Sequence, residues 1–187
     1  VVDKWGNAVS VTTTINGWFG SGITVDGAGF LLNNEMDDFS SKPGTPNAYG
    51  LVGAKANEIA SGKRMLSSMT PTIVENPNGD LLLVVGSPGG STIITTAMQV
   101  ISNVIDFKMN IEDAVESPRY HHQWLPDVVY VEQFGYATET LDALKERGYK
   151  FALRSSIGEA NCIMYDPNTK IIHASGDSRR GASAIAY

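Results

Sequence analysis

The sequence predicts an α+β fold in which helices cover antiparallel sheet, and three observations carry that prediction. Strand-like and helix-like patterns fall in separate runs and do not alternate strictly. Thr72-Ile73-Val74-Glu75 and the apolar run Leu81 to Val85 flank Asn76-Pro77-Asn78-Gly79, which is the chemistry of a β-hairpin. From Thr92 to Phe107, the residues Ile93, Ala97, Val100, Ile101, Val104 and Ile105 form the stripe of a helix lying on a sheet, widened by Ile94 and Met98.

Taken from the start, residues 1–7 contain a strand and a turn. Ala8 to Asn16 alternates: Val9, Val11 and Ile15 share one face, and Ser10, Thr12, Thr14 and Asn16 share the other. Such a strand is a solvated edge or the wall of a polar pocket, and pattern alone favours the edge. Gly17 to Gly29, with five glycines, reads as an irregular connection. Phe30-Leu31-Leu32 reads as a short buried strand. It runs into Asn33-Asn34-Glu35-Met36-Asp37-Asp38, an acidic cluster that is a solvated turn or a site for a cationic amine. Its spacing does not match an EF-hand loop. Ser40 to Lys63, punctuated by Pro43, Gly44, Pro46, Asn47, Gly50 and Gly53, is a long loop of the kind that serves as a lid. Tyr49 within it either folds over a site or packs on the surface.

Asn110 to Glu116 reads as a short helix capped by Asn110 and ended by Pro118. Val128 to Val131 is a strand. Thr138 to Arg147 is an amphipathic helix with Leu141 and Leu144 inside and Gly148 as its C-cap. Residues 149–153, 161–165 and 170–174 are further strands, the last two joined by an Asp166-Pro167-Asn168 turn. The tail, Asp177-Ser178-Arg179-Arg180-Gly181, is polar and turn-like. With no internal repeat and no low-complexity tract, residues 1–187 are expected to form a single domain.

Composition narrows the function classes. The chain has 187 residues, 42% apolar and 18% charged, which is a folded composition with a real core. A net charge of −6 with no basic stretch argues against a nucleic-acid partner. No apolar run approaches the roughly 20 residues needed to span a bilayer, so no membrane contact is expected. Cys162 is the single cysteine and is read as a buried small hydrophobe. His121 and His122 point to opposite faces of an extended chain, so a structural role is favoured over a shared metal.

The candidates for chemistry lie around two runs, Lys63-Arg64-Met65-Leu66-Ser67-Ser68-Met69-Thr70-Pro71 and Gly86-Ser87-Pro88-Gly89-Gly90-Ser91. No Gly-x-Ser-x-Gly elbow is present, and the glycine run lacks the lysine of a P-loop. A glycine loop between strand and helix exposes N–H groups to a carboxylate, a phosphate or a developing oxyanion. Ser67 and Ser68 can donate to a carboxylate, Glu35 and Asp38 can hold an ammonium, and Asn16 can bond either. The Gly89 and Gly90 amides can hold an oxyanion. Together these suit a free α-amino acid head group with its acyl carbon at the glycine loop.

Five blocks in order resemble the small subunit of the γ-glutamyltranspeptidase family. They are Asp3-Lys4-Trp5-Gly6-Asn7-Ala8-Val9-Ser10, Leu32-Asn33-Asn34-Glu35-Met36-Asp37-Asp38-Phe39-Ser40, the run from Arg64 to Pro71, the glycine run, and Pro118-Arg119-Tyr120-His121-His122-Gln123-Trp124. The resemblance implies an N-terminal-nucleophile hydrolase with an αββα sandwich, two central antiparallel sheets with helices outside, made from a precursor that cleaves itself. The small subunit then begins with a threonine whose hydroxyl attacks and whose own α-amino group is the base. The γ-glutamyl group of glutathione or a related donor passes to that threonine, then to water or to an amino-acid or dipeptide acceptor. By similarity, Thr14 bonds and orients the nucleophile. Asn16, Glu35 and Asp38 grip the α-amino side of the glutamyl group, Ser67 and Ser68 take its α-carboxylate, and Gly89 and Gly90 form the oxyanion hole. Tyr49 belongs to the lid. No cofactor and no metal are implied. The implied partner is the large subunit of the same precursor, and the implied location is the periplasm, the medium or the outer cell surface.

Three positions depart from the family pattern. Family small subunits begin Thr-Thr-His-(Tyr or Phe)-Ser just before the stretch matching Val1-Val2-Asp3. The nucleophile is therefore expected upstream of Val1, and this chain alone is expected to be inactive and unstable. Glu35 stands where some members carry Gln, adding a charge toward the ammonium. The tail reads Asp177-Ser178-Arg179-Arg180 where the family usually has Asp-Pro-Arg, which leaves the C-terminal turn open. Two other readings stand beside the first. One is a related acyltransferase or acylase of the same fold, such as a poly-γ-glutamate transpeptidase or a cephalosporin acylase. The other is a non-catalytic amino-acid-binding module.

Overall fold

The structure, a computed structural model, describes residues 1–186. Its contacts group the chain into two compact units, one joining Val1–Thr12 to Met69–Tyr187 and the other comprising Thr13–Ser68.

The first unit is built on the predicted hairpin. β1 (Thr72–Glu75) and β2 (Leu81–Gly86) pair antiparallel, with Ile73 opposite Val84. The turn closes on Asn76, whose side chain accepts from Asn78 N and Asp80 N at 2.9 and 3.0 Å. β6 (Asn161–Asp166) and β7 (Ile171–Gly176) extend this into a four-stranded antiparallel sheet of order β1–β2–β6–β7. Leu83, Val84 and Val85 are all buried. A strand covered on both faces reads as a continuous apolar run, which is how β2 appears in the sequence.

A single 3-10 turn, Gly90–Thr92, leads into α1 (Ile93–Ile105). Ala97, Val100 and Val104 of α1 form one core with Leu83, Val85, Ala160 and Cys162, joined by Ile111, Ala114 and Val115 of α2 (Ile111–Glu116). Asn110 caps α2 as expected, accepting Asp113 N at 2.9 Å. Burial pushes the Cys162 thiol up to about 12, so it packs as an inert hydrophobe.

The second sheet holds β3 (Tyr120–His121), β4 (Val129–Glu132) and β5 (Phe151–Arg154) in that order. β3 and β4 are antiparallel, but β4 and β5 are parallel, so this sheet is mixed and not purely antiparallel. The reason is the crossover. α3 (Thr138–Glu146) carries the chain back from the end of β4 to the start of β5, and a helical return delivers the next strand in the same direction. Leu141 and Leu144 of α3 are half-buried, and Gly148 follows the helix at φ +96°.

The tail is far more than a polar turn. Arg119, 1% exposed, donates from Nη1 to Asp177 at 2.7 Å and to Ile157 O at 2.9 Å. Glu132 accepts from Arg119 N, Ile157 N and Arg179 Nε at 2.9, 2.7 and 2.6 Å. Asp177 also accepts from Ala160 N at 2.7 Å and Arg179 N at 3.0 Å. Four buried or nearly buried charges therefore join α2, β4, the 157–160 loop and the tail. Burial pushes both carboxyls up, but the guanidinium and N–H donors outweigh it and hold both below the usual carboxylate range. Ser178, where the chain departs from the family pattern, opens the 3-10 turn Ser178–Arg180 and donates from N and Oγ to Glu116 at 2.9 and 2.6 Å. The turn is kept, with a backbone donor that proline lacks.

The second unit contains the 3-10 turns Glu35–Asp38 and Lys55–Asn57 and isolated bridges such as Thr24 to Leu31 and Ser40 to Glu58. Ser40 to Lys63 is the expected loop. Two strand predictions are corrected. Ala8 to Asn16 forms no ladder among the described residues beyond the isolated Val2–Ala8 bridge. Val9 and Val11 are 53% and 70% exposed, and Ile15 alone of that apolar face is half-buried, so most of the face is left uncovered. Phe30-Leu31-Leu32 is likewise no buried strand. Phe30 is 55% exposed, and the segment is held to residues 21–25 by the isolated bridge at Leu31 and the backbone bonds beside it. Among the described residues no helix is long and apolar enough to cross a membrane.

Candidate active site

The candidates for gripping an amino-acid head group are collected in the second unit. Asn33 Oδ1 accepts Glu35 N at 3.0 Å and starts the turn that carries Glu35, Asp37 and Asp38. Asn57 then ties that turn to the serine run. Its Nδ2 donates to Asp38 O at 2.7 Å, and its Oδ1 accepts Leu66 N at 3.0 Å. The consequence is a direct bond from Ser68 Oγ to Asp38 Oδ2, 2.9 Å long. Ser68 is half-buried and its neighbour Ser67 is exposed, while Glu35 shares the turn with Asp38.

A second cluster forms around Asn16. The Tyr49 hydroxyl donates to Asn16 Oδ1 at 2.8 Å, and Asn16 N donates to Thr14 Oγ1 at 2.8 Å. Asn16 takes φ +71°, a conformation that asparagine tolerates better than most residues. Asn34 holds it there, accepting Asn16 Nδ2 on its carbonyl at 3.2 Å and Gly17 N on its side chain at 2.9 Å. The Tyr49 loop is pinned by Asp37, which accepts Ala48 N at 3.1 Å. Burial pushes the Tyr49 phenol up, and the Asp38 and Asp37 charges add to it, so the hydroxyl stays a donor at neutral pH.

The glycine loop lies in the first unit. Gly89 and Gly90 take φ +140° and +56°, which side chains rarely adopt. A Cβ on Gly89 would meet Thr92 Oγ1 at 2.4 Å. Gly89 O accepts both Thr92 N and Thr92 Oγ1, at 3.1 and 2.9 Å. Behind the loop, Ser87 Oγ accepts Glu159 N at 3.0 Å and donates to Pro88 O at 2.7 Å. Gly158 passes so close that a Cβ there would lie 2.3 Å from Thr96 Oγ1. The residues flanking it, Ile157 and Ala160, are those held by Glu132, Arg119 and Asp177. The buried charges thus back the loop that backs the glycines. A glycine pair ahead of a helix N-terminus offers N–H donors to an anion.

The structure therefore joins Ser68 to Asp38, and Tyr49 to Asn16 to Thr14. Sequence reading gave no role to Asn34, which lies in the acidic cluster, or to Asn57, and it missed the Arg119–Glu132–Asp177–Arg179 network, most of whose members are far apart in the chain. His121 and His122 do face apart. His121 is bonded by Thr95 and Gln123 at 2.8 and 2.9 Å, and His122 reaches Asp127 at 3.2 Å. No group of three His, Cys, Asp or Glu among the described residues could hold a metal.

Comparison with known proteins settles the family. The γ-glutamyltranspeptidase family model matches residues 1–187. The chain belongs to the γ-glutamyltranspeptidase family. A glutathione hydrolase proenzyme of Escherichia coli is 53% identical over 175 residues, 94% of this chain and 30% of that protein. Across the curated relatives that head the comparison, this chain spans 26% to 33% of their length. A structure of Helicobacter pylori γ-glutamyltranspeptidase is 57% identical with a TM-score of 0.93, covering 96% of this chain and 97% of that one. A cephalosporin acylase of Bacillus halodurans is more distant, at 26% identity and a TM-score of 0.79, with 93% of this chain matching 31% of that one. The two sheets and their helices are accordingly the small-subunit portion of the family's N-terminal-nucleophile fold.

Proposed function

We propose that residues 1–187 act as one small-subunit portion of a self-cleaving γ-glutamyltranspeptidase that transfers or hydrolyses the γ-glutamyl group of glutathione-like donors. The observation that carries this is the Ser68–Asp38 pair, a hydroxyl donor and a carboxylate acceptor 2.9 Å apart. One member suits the α-carboxylate of a free amino acid and the other its α-ammonium. Glu35 adds charge on the ammonium side, Asn16 bonds the same head group, and Ser67 joins Ser68 on the carboxylate. Tyr49, bonded to Asn16, covers the bound donor.

The chemistry needs a threonine from the segment preceding Val1. Its hydroxyl attacks the γ-carbonyl while its own α-amino group takes the proton. Thr14 orients that threonine. The carbonyl oxygen becomes an oxyanion held by the Gly89 and Gly90 amides, a contact worth about 3–4 kcal/mol per donor in comparable sites. Collapse of the tetrahedral intermediate, with the proton passed from the threonine α-amino group to the leaving nitrogen, expels the amine and leaves a γ-glutamyl ester, which water or an acceptor amine then opens. A large subunit of the same precursor completes the fold and supplies an arginine to the donor carboxylate. The assembled protein works in the periplasm, the medium or on the outer cell surface.

The likeness to a cephalosporin acylase keeps an acylase as the second reading, since that class shares the fold. A glutaryl-type donor has no α-ammonium, however, and the acidic turn would then face nothing it attracts. N-terminal sequencing and intact mass of the native protein test the proposal. The expected result is a small chain beginning Thr-Thr-His just upstream of Val1, a second, larger chain, and release of p-nitroaniline from γ-glutamyl-p-nitroanilide. A native chain starting at Val1 without a partner and without turnover would overturn it.

A further inference from the structure

We infer that His121 is a positioning residue for the glycine loop, acting through the hydroxyl of Thr95. The inference rests on the reading of Gly89 and Gly90 as the oxyanion-binding pair, and the mechanism above gives His121 no role. His121 is 1% exposed, and both ring nitrogens meet side chains. Nε2 faces Gln123 Oε1 at 2.9 Å, while Gln123 Nε2 donates to Leu125 O at 3.1 Å. Gln123 thus presents an acceptor, and Nε2 carries the ring proton. Nδ1 is left to accept from Thr95 Oγ1, 2.8 Å away.

From Thr95 the path runs into the glycine loop. Thr95 Oγ1 also lies 3.1 Å from Thr92 O, and Thr92 holds Gly89 O through both its N–H and its hydroxyl. The Thr95 hydroxyl has one proton and two acceptors, so the ring decides how strongly Thr92 O is bonded. The ring itself cannot drift. It lies 6.3 Å from the Tyr130 ring with an interplanar angle of 18°, and Arg154 caps Tyr130 from 3.9 Å. Gln99 supplies a second tie between β3 and α1, donating to Thr95 O and Tyr120 O at 2.8 Å each and accepting Tyr120 N at 3.1 Å. β3 is thereby fixed to the first turns of α1, where the glycine loop ends. Oxyanion donors act only if held where charge develops, so loosening this tie should slow the chemical step without weakening donor binding.

The test uses the assembled, self-processed protein and γ-glutamyl-p-nitroanilide. Thr95→Val keeps the side-chain shape and removes the hydroxyl. It should lower kcat about tenfold and leave the donor KM within about twofold, and Thr95→Ser should restore kcat to within about threefold of the parent. The double variant Thr95→Val with His121→Phe should match Thr95→Val alone, because without the hydroxyl the ring has nothing through which to act on the loop. An unchanged kcat in Thr95→Val, or a raised KM with kcat intact, would overturn the inference. A measurement on the unsubstituted protein guards against variants that fail to assemble. A γ-boronic acid analogue of glutamate, which forms a tetrahedral anion, should shift the His121 ring nitrogen resonances, and unshifted resonances in the saturated complex would also overturn it. If the unsubstituted protein does not turn over the anilide, the functional reading fails; if it does and Thr95→Val matches it, only the role of His121 fails.

Discussion

Ser68 and Asp38 meet because one asparagine, Asn57, bonds the acidic turn with its amide nitrogen and the serine run with its amide oxygen. Replacing Ser68 by Ala removes a hydrogen bond to an ionised group and, in the proposed site, one of the two hydroxyls that meet the donor carboxylate. Bonds of this kind contribute about 1.5–3 kcal/mol, so steady-state kinetics of the assembled protein should show the donor KM rising at least about tenfold while kcat changes less than about threefold. The roles proposed for these residues came from the family resemblance, and what the structure adds is that Ser68 bonds Asp38 and Tyr49 bonds Asn16. Asn57 and Asn34 were not legible. An asparagine in a loop looks the same whether it closes its own turn or bridges two segments, because the partner is chosen by the fold and not by sequence spacing.

Among the elements, those with local causes were the ones the sequence announced. The β1–β2 hairpin has turn chemistry between a β-branched run and an aliphatic one, α1 has its apolar stripe, and α2 has its cap. The β4–β5 pairing was not announced, since strand direction there is set by the α3 crossover. The alternating stretch from Ala8 to Asn16 shows the converse error: period two describes a strand only when another edge pairs with it. The tail was also under-read. Asp177 and Arg179 looked like turn residues, yet they close a buried network with Arg119 and Glu132 that holds the 157–160 loop. Asp177→Asn leaves the Arg119 guanidinium buried beside a neutral amide, and thermal unfolding of the assembled protein should register a loss of about 3–5 kcal/mol. The same network sets an acid limit. Glu132 and Asp177 have folded-state values below their ordinary ones of 4.5 and 3.8. The unfolded chain therefore binds protons first as pH falls, and the network's contribution is complete above those ordinary values and is lost as pH drops through the lowered ones. A series of melting curves should show a parent protein whose stability declines below about pH 4, and a shallower decline in Asp177→Asn.

For the whole molecule, the outstanding feature is how much apolar surface is left uncovered. Trp5, Trp18, Phe19, Phe107 and Phe134 are all more than two-thirds exposed, and α1 leaves Ile94 outward. Scattered surface hydrophobics are ordinary, but with Trp124 at 73% there are six aromatic side chains at this exposure among the described residues, the kind of surface that the proposed large subunit would cover. The isolated 187-residue chain should bind an apolar fluorescent dye and self-associate in sedimentation, and co-expression with the larger chain should abolish both. A monodisperse, dye-silent isolated chain would mean that it needs no large subunit to cover it.

Recognition of an α-ammonium by the acidic turn is read by comparing two donors that differ only in that group. In the assembled protein, kcat/KM is measured for γ-glutamyl-p-nitroanilide and for glutaryl-p-nitroanilide, which lacks the amino group, with and without Asp38→Asn. Loss of a charge-assisted contact should lower the γ-glutamyl value by about 10- to 100-fold in Asp38→Asn, while the already poor glutaryl value changes less than about threefold. An equal fall for both donors, or a glutaryl donor used as well as the γ-glutamyl one by the parent protein, would rule out an ammonium-binding role for Asp38 and favour the acylase.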